Sequence, residues 1–399
     1  MAFRKRYVFI PLMVAVGVIL AWFVYAFVWS MRYNSSQRAM TGGLAPDFVY
    51  GSGLIRDPNG YYGITSSVNG MAPDTFLLDT QASSLATGPM LERMKAEYRE
   101  RKPMPNFNFY GQLYFPKLYS VNSMKIGSAE LKGALFNEVA PDNGMYDVIY
   151  RPIIGRNILR DFIWKIDNDA DSVIVFSNAN KDMLIRETTG YEKFADGINA
   201  LSVGIEKLSP EPFMVDLGSD YDIIVDRKIY ENLMKTAEGN LILSYRENER
   251  IDTLVEFTGL HVRVGSLDFR DCSAVYSPSL NRNIIGQRFM GRCNFILGYE
   301  KEPDGYNKED LYLQERKEKV EVSTLVPHIG FGVGFRGGNL YVTLLDAESS
   351  MAEAGLRPGV KVLSINGGDI PFDIRSVNSG LTETLLSHCR RATVVYTPK

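Results

Sequence analysis

Phe76-Leu77-Leu78-Asp79-Thr80 is an apolar run that ends in an aspartate at a turn, and Ile153-Ile154-Gly155 follows it downstream. The same order returns in Phe213-Met214-Val215-Asp216-Leu217-Gly218, followed by Ile284-Ile285-Gly286. The Asp-to-Gly spacings, 76 and 70 residues, are nearly equal. One such string alone reads as a strand closing on an Asp turn. Two copies with matched partners read as an internal duplication in which each half brings one aspartate to a common site.

Each aspartate ends an apolar run and so enters a setting of low polarity, where a carboxyl is raised in pKa and two facing carboxylates cannot both ionise. One shared proton leaves a general base beside a general acid, a pair able to activate water against a peptide carbonyl. This chemistry calls for no metal and no cofactor. His261, His328 and His388 are too few and too dispersed for a triad or a metal set. Cys272, Cys293 and Cys389 are odd in number and scattered, so they read as small buried apolar residues and not as a disulfide framework.

The rest of the chain frames this duplication. At 399 residues it is long enough for two or three cores, and 44 basic against 47 acidic residues, net −3, leave no nucleic-acid footprint. Residues 7–30 are uncharged and almost wholly apolar, long enough to span a bilayer, and Arg4, Lys5 and Arg6 precede them. Residues 1–30 are therefore expected to be a cytoplasmic tip and a single transmembrane helix with the remainder outside the cytoplasm. A signal-like helix that is later removed is the alternative. Residues 31–46 read as a polar tether.

Short β-like runs such as Met124–Ser128, Ser172–Phe176, Leu201–Ile205 and Val262–Ser266 define two bodies, 47–196 and 197–300. Arg93 to Lys102 reads as a solvated helical face. Between Glu300 and Glu321, 13 of 22 residues are charged, and a solvated connector or exposed helix is expected over 301–324. Residues 325–399 form a third unit, with Gly330-Phe331-Gly332-Val333-Gly334-Phe335, a strand-like Leu340–Leu345, a short helix stopped at Gly355, and a Pro-Gly turn into Val362–Gly367.

Leu77-Leu78-Asp79-Thr80-Gln81-Ala82-Ser83 resembles the Leu-Leu-Asp-Thr-Gly-Ala active-site string of retropepsin-type aspartic proteases, and Ile153–Leu159 resembles their Ile-Ile-Gly-Arg-Asn-Leu-Leu string. Val215–Ser219 and Asn283–Gly286 are similar in the second half. The resemblance covers roughly residues 50 to 300. It implies two small β lobes enclosing a peptide cleft under a β-hairpin flap, with Asp79 and Asp216 as the catalytic pair, and here both lobes fall in one chain. Tyr110, beside Gly111, is placed on the flap as a candidate substrate contact, though a plain strand tyrosine would read the same way.

Two departures stand out. The family has Gly third in its triplet, where this chain has Gln81 in lobe one and keeps Gly218 in lobe two. The family has Thr or Ser second, whose hydroxyl ties the lobes together; Thr80 keeps it, whereas Leu217 cannot donate. The sequence therefore leaves two readings open, an aspartic endopeptidase and a catalytically degenerate peptide-binding scaffold.

The third unit resembles PDZ domains of the bacterial kind, from Gly330–Phe335 and Ala354-Gly355-Leu356-Arg357-Pro358-Gly359 leading into Ile365-Asn366-Gly367. The resemblance implies that Phe331, Gly332, Val333, Gly334 and Phe335 hold an extended peptide and its C-terminal carboxylate. Val360 departs from it, since the family usually has Asp after the Pro-Gly. The expected whole is a mainly β protein comprising an N-terminal transmembrane helix, a bilobal aspartic-protease-like β body and a C-terminal PDZ domain. The combination resembles aspartyl-protease/PDZ proteins of the bacterial envelope, held in the inner membrane with the body in the periplasm. A polypeptide substrate or a peptide C-terminus is the expected partner.

Overall fold

The computed structural model describes residues 13–28, 45–57, 60–101, 106–107, 113–141, 145–146, 149–245, 250–301, 307–317, 330–336, 339–365, 368–369 and 394–397. Tyr110 and Gly111 lie outside them, as do His328, His388 and Cys389.

Lobe one is built from β1 (Val49–Gly53), β2 (Tyr62–Val68), β3 (Asp74–Leu78), β4 (Leu85–Thr87), β5 (Glu97–Arg101), β6 (Lys117–Val121), β7 (Ala134–Val139), β8 (Ile153–Ile154), β9 (Phe162–Asp167) and β10 (Ser172–Ser177). Lobe two follows as β11 (Glu192–Phe194), β12 (Leu201–Ile205), β13 (Glu211–Asp216), β14 (Ile223–Val225), β15 (Asn240–Tyr245), β16 (Ile251–Val264), β17 (Leu267–Tyr276), β18 (Ile284–Gly286), β19 (Cys293–Lys301) and β20 (Asn307–Glu315); β11 pairs with β20, so this lobe begins ahead of the expected boundary at 197.

The duplication read from the sequence is a duplication of strand pairing. In lobe one β3 lies parallel to β8, β8 antiparallel to β4, and β4 parallel to β7. In lobe two β13 lies parallel to β18, β18 antiparallel to β14, and β14 parallel to β17. Outside these, β5 pairs with β6 and β6 with β7, as β15 pairs with β16 and β16 with β17. Such closely interleaved parallel and antiparallel strands leave no slack, which explains the glycine closing each Ile-Ile run. A Cβ on Gly155 would overlap main-chain atoms of Ala82, Ser83 and Ser84, and one on Gly286 would overlap Tyr221 O.

A six-stranded sheet in the order β1-β10-β9-β19-β20-β11 underlies both lobes, three strands from each, joined where β9 pairs antiparallel with β19. The lobes therefore meet within one chain. Above this sheet one apolar core runs through both halves, with Phe76, Phe162 and Trp164 from lobe one packed with Phe213, Phe289 and Phe295 from lobe two. Each such side chain contributes about 2–3 kcal/mol by leaving water. The indole N–H of Trp164 is satisfied by Leu159 O at 2.8 Å. Cys272 and Cys293 are buried in the same core.

Two expectations are corrected. Residues 307–315, within the expected charged connector 301–324, form β20, a strand of the base sheet that is buried from Glu309 to Leu313. Leu311 and Leu313 face the core, and the two acids just before them are paired: Glu309 takes a bidentate pair from Arg156, and Asp310 pairs with Lys193 at 2.6 Å. A count of charges without their partners misses this. The stretch from Arg93 is likewise not a helical face, because the helix Gly88–Arg93 ends there and Glu97–Arg101 continues as strand β5. Its charges suit the outermost strand of the lobe-one sheet.

The C-terminal unit contains β21 (Phe331–Arg336), β22 (Asn339–Asp346) and β23 (Lys361–Ile365), with a core of Phe331, Leu340, Val342, Leu345, Leu356, Val360 and Val362. Gly355 and Gly359 have φ of +93° and +82°, the left-handed turns that the Gly and Pro-Gly signals predict. This unit has its own core but shares a sheet with lobe two, because β22 adds antiparallel to β15 through Ile242↔Asp346, Leu243↔Leu345 and Ser244↔Leu344. Residues 13–28 form a helix with an apolar, outward-facing surface. Among the described residues no helix is long and apolar enough to cross a membrane, and the expected span 7–30 extends beyond them at both ends.

Candidate active site

Each aspartate is delivered by the same local device. Asp79 follows β3, and its amide donates to Ile154 O at 3.0 Å, while Arg156 N returns to Ala82 O at 2.8 Å. In lobe two Asp216 ends β13, opposite Gly286 of β18, and Gln287 N donates to Ser219 O at 2.8 Å. The loops after the two aspartates are thereby pinned by equivalent residues.

The carboxylates converge at the lobe boundary. A Cβ added to Gly218 would overlap Asp79 Oδ2 and stand 3.2 Å from Asp216 Oδ1, so the two acids face one another across this glycine. Asp79 Oδ1 accepts from the amides of Gln81 and Ala82, both at 2.8 Å, and Asp216 Oδ1 accepts from Gly218 N at 2.9 Å. Burial pushes the Asp79 carboxyl up, opposed by its two amides. Asp216 is raised well above the ordinary carboxylate range, first by burial and then by the charge of Asp79, with the Gly218 amide and Arg282 pulling the other way. The pair thus retains a proton when ordinary aspartates have lost theirs, and two amides against one favour the anion on Asp79.

Thr80 ties the lobes together. Its hydroxyl, fully buried, donates to Val215 O at 2.7 Å and accepts from Leu217 N at 3.1 Å. Leu217 is buried in the shared apolar core and makes no reciprocal tie. The side chain of Gln81 is not a misfit in its loop: its carboxamide crosses the boundary to Val215 O at 2.8 Å. Of the other sequence-predicted site residues, Phe331, Gly332, Val333, Gly334 and Phe335 lie together in β21, paired with β22. They belong to the C-terminal unit and are not part of the carboxylate pair. Tyr110 lies outside the described residues.

Sequence reasoning passed over two features. Ser219 Oγ is buried beside the Asp216 loop with no hydrogen-bond partner among the described residues. Its place three residues after Asp216, within the quoted string, is the signal that marks it. Arg156, next to Gly155, reaches Glu309 of β20 through Nε at 2.8 Å and Nη2 at 2.6 Å, and Asn199 Nδ2 joins at 2.7 Å. That cluster ties the loop of lobe one to the base sheet, but Glu309 lies too far along the chain for spacing to reveal it.

A retropepsin-like aspartic protease from Rickettsia conorii is similar at 20% identity with a TM-score of 0.24, the likeness covering 32% of this chain and 92% of that one. An aspartic proteinase from Irpex lacteus is similar at 9% identity with a TM-score of 0.39, covering 69% of this chain and 100% of that one. At these values the likenesses bear on neither activity nor substrate. No protein-family model matches the chain, and no curated protein matches it.

Proposed function

We propose that this chain is an aspartic endopeptidase that cleaves extended polypeptides with Asp79 and Asp216. The observation that carries the reading is the placement of the two carboxylates across Gly218, both with raised pKa and with their lobes tied by Thr80. Ionised Asp79 takes a proton from a water held between the pair, and the oxygen of that water attacks the peptide carbonyl carbon while Asp216 gives its proton to the carbonyl oxygen. The tetrahedral gem-diol then collapses. The C–N bond breaks as Asp79 passes its proton to the departing nitrogen, and a gem-diol hydroxyl returns a proton to Asp216. The pair ends as it began, with one proton.

The finer parts of the proposal rest on the sequence. The apolar span at 7–30 anchors the chain in a bacterial inner membrane with its body in the periplasm. The C-terminal unit acts as a PDZ module that recruits the substrate, with β21 as the strand against which an extended peptide adds. Leu217, which offers no hydroxyl to the opposite lobe, favours a second reading, a pseudoprotease that binds peptides in the cleft without hydrolysis.

Full-length protein in detergent, incubated with a denatured protein mixture between pH 4 and 8 and read by mass spectrometry, separates the two. New termini that disappear with Asp79→Asn and with Asp216→Asn establish the peptidase. No cleavage by the unmodified chain anywhere in that range establishes the scaffold.

A further inference from the structure

We propose that Gln81 is a positioning residue of the paired-aspartate site, and that its carboxamide supplies the second cross-lobe tie that Leu217 cannot make. The inference rests on the peptidase reading for its kinetic consequence, but not for its geometry.

Two reciprocal ties are open to the duplicated loops, one from the residue after each aspartate. Thr80 makes the first, from lobe one to Val215 O, the carbonyl just before Asp216. Its counterpart Leu217 is apolar and fully buried, so no hydroxyl returns from lobe two. Gln81 occupies the position that Gly218 holds in lobe two, and its side chain turns across the boundary. Its Nε2 donates to the same Val215 O at 2.8 Å and lies 3.4 Å from Ile198 O, in the helix Gly197–Ala200 of lobe two.

Two donors from lobe one thus converge on one carbonyl of lobe two, and a carbonyl oxygen has two lone pairs to receive them. The strand that carries Asp216 is held from two directions, by a hydroxyl and by an amide. The missing tie has been replaced from the opposite side and not lost. Because Nε2 is engaged with main-chain oxygens, Gln81 is poorly placed to donate to substrate, which separates this role from a binding role.

The test uses the full-length protein in detergent, as wild type, Gln81→Met, Gln81→Gly, Leu217→Thr and each Gln81 variant combined with Leu217→Thr. Gln81→Met keeps the length and loses only the donor. Two quantities are read: kcat and KM on a quenched peptide taken from the digest above, and hydrogen exchange at the amides of residues 214–219, which needs no hydrolysis. Gln81→Met is expected to lower kcat about 10- to 100-fold with KM little changed, since a small displacement of a reacting group costs on that order. Exchange at 214–219 should quicken.

Leu217→Thr in either Gln81 background should restore most of kcat and slow the exchange again, because a hydroxyl there rebuilds the reciprocal tie. A Gln81→Met chain equal to wild type in both readouts overturns the proposal, and so does a loss that Leu217→Thr fails to rescue. If no chain cleaves peptide yet exchange follows the expected pattern, the tie stands and the peptidase reading is the one that fails.

Discussion

Gly218 of lobe two closes against the Asp79 carboxylate of lobe one so tightly that a single added methyl would overlap Asp79 Oδ2. The glycine is there for contact across the boundary. Its amide also serves Asp216 Oδ1 at 2.9 Å, so one residue holds both acids in place.

Gly218→Ala should therefore force the carboxylates apart while leaving the strands on either side paired. The expected result is a fall in kcat of about 100-fold, as for a misplacement of about 1 Å. Circular dichroism should be unchanged. Activity within a few-fold of wild type would show that the close approach is not used.

The raised carboxyls make a signed statement about stability. Both sit above the ordinary value of 3.8 in the folded chain, so between that value and the raised one the folded state holds more protons than the unfolded state. The contribution is fully present below the ordinary value and is lost as pH rises through the raised one. Asp216→Asn removes the buried charge, so its melting temperature should exceed that of wild type at pH 7 and converge with it near pH 3.5, about where ordinary aspartates take up their protons. Parallel melting curves across that range would contradict the burial of the pair.

Arg156 and Glu309 make a different kind of prediction. Glu309 is only 5% exposed, and both guanidinium bonds would be lost in Arg156→Ala. Among the described residues the acid would be left in the base sheet with Asn199 as its one hydrogen-bond partner. A loss of about 2 kcal/mol is expected, at the low end for an unpaired buried charge because Arg156 itself is 42% exposed. Urea unfolding measures it, and Arg156→Lys should recover only part, since lysine cannot pair through two nitrogens.

Much of this was legible in the sequence, and for one reason. Asp79 and Asp216 sit at the ends of apolar runs, and each run has a partner ending in Gly, so local pattern alone marked the loops and the duplication. The strands at Met124–Ile126, Ser172–Ser177 and Leu201–Ile205 were legible from alternation in the same way. What could not be read depends on partners distant in the chain. Strand β20 looked like a solvated connector because Arg156 and Lys193, which neutralise Glu309 and Asp310, are more than a hundred residues away. Gln81 looked like a defect because its partner, Val215 O, is a main-chain atom of the other lobe.

The union of the C-terminal unit with lobe two was also invisible from pattern, since a strand does not announce which edge it joins. Leu243 packs into the C-terminal core, and a Cβ on Gly359, at φ +82°, would press 2.7 Å from the Tyr245 ring. Gly359→Val should cost about 2 kcal/mol from backbone strain and steric clash. Limited proteolysis should then release the C-terminal unit from an intact two-lobed body. A C-terminal unit as resistant as in wild type would mean that the shared sheet is not what holds it.

The proposed topology has its own test. Protease added to intact spheroplasts should remove the body and leave a short membrane-held stub, given the uncharged stretch 7–30 and the basic residues before it. Survival of the full chain would place the body on the other side.

The most direct test of the central claim, that Asp79 and Asp216 hold one proton between them, is a carboxyl titration. Protein labelled with 13C at the aspartate side-chain carboxyl is followed by NMR from pH 3 to 9 as wild type, Asp79→Asn and Asp216→Asn. The predicted result is one signal, absent in Asp216→Asn, that titrates well above the other aspartates and moves down when Asp79→Asn removes the neighbouring charge. If both carboxyls titrate in the ordinary range, each indifferent to the loss of the other, they do not share a proton and the account of the site is wrong.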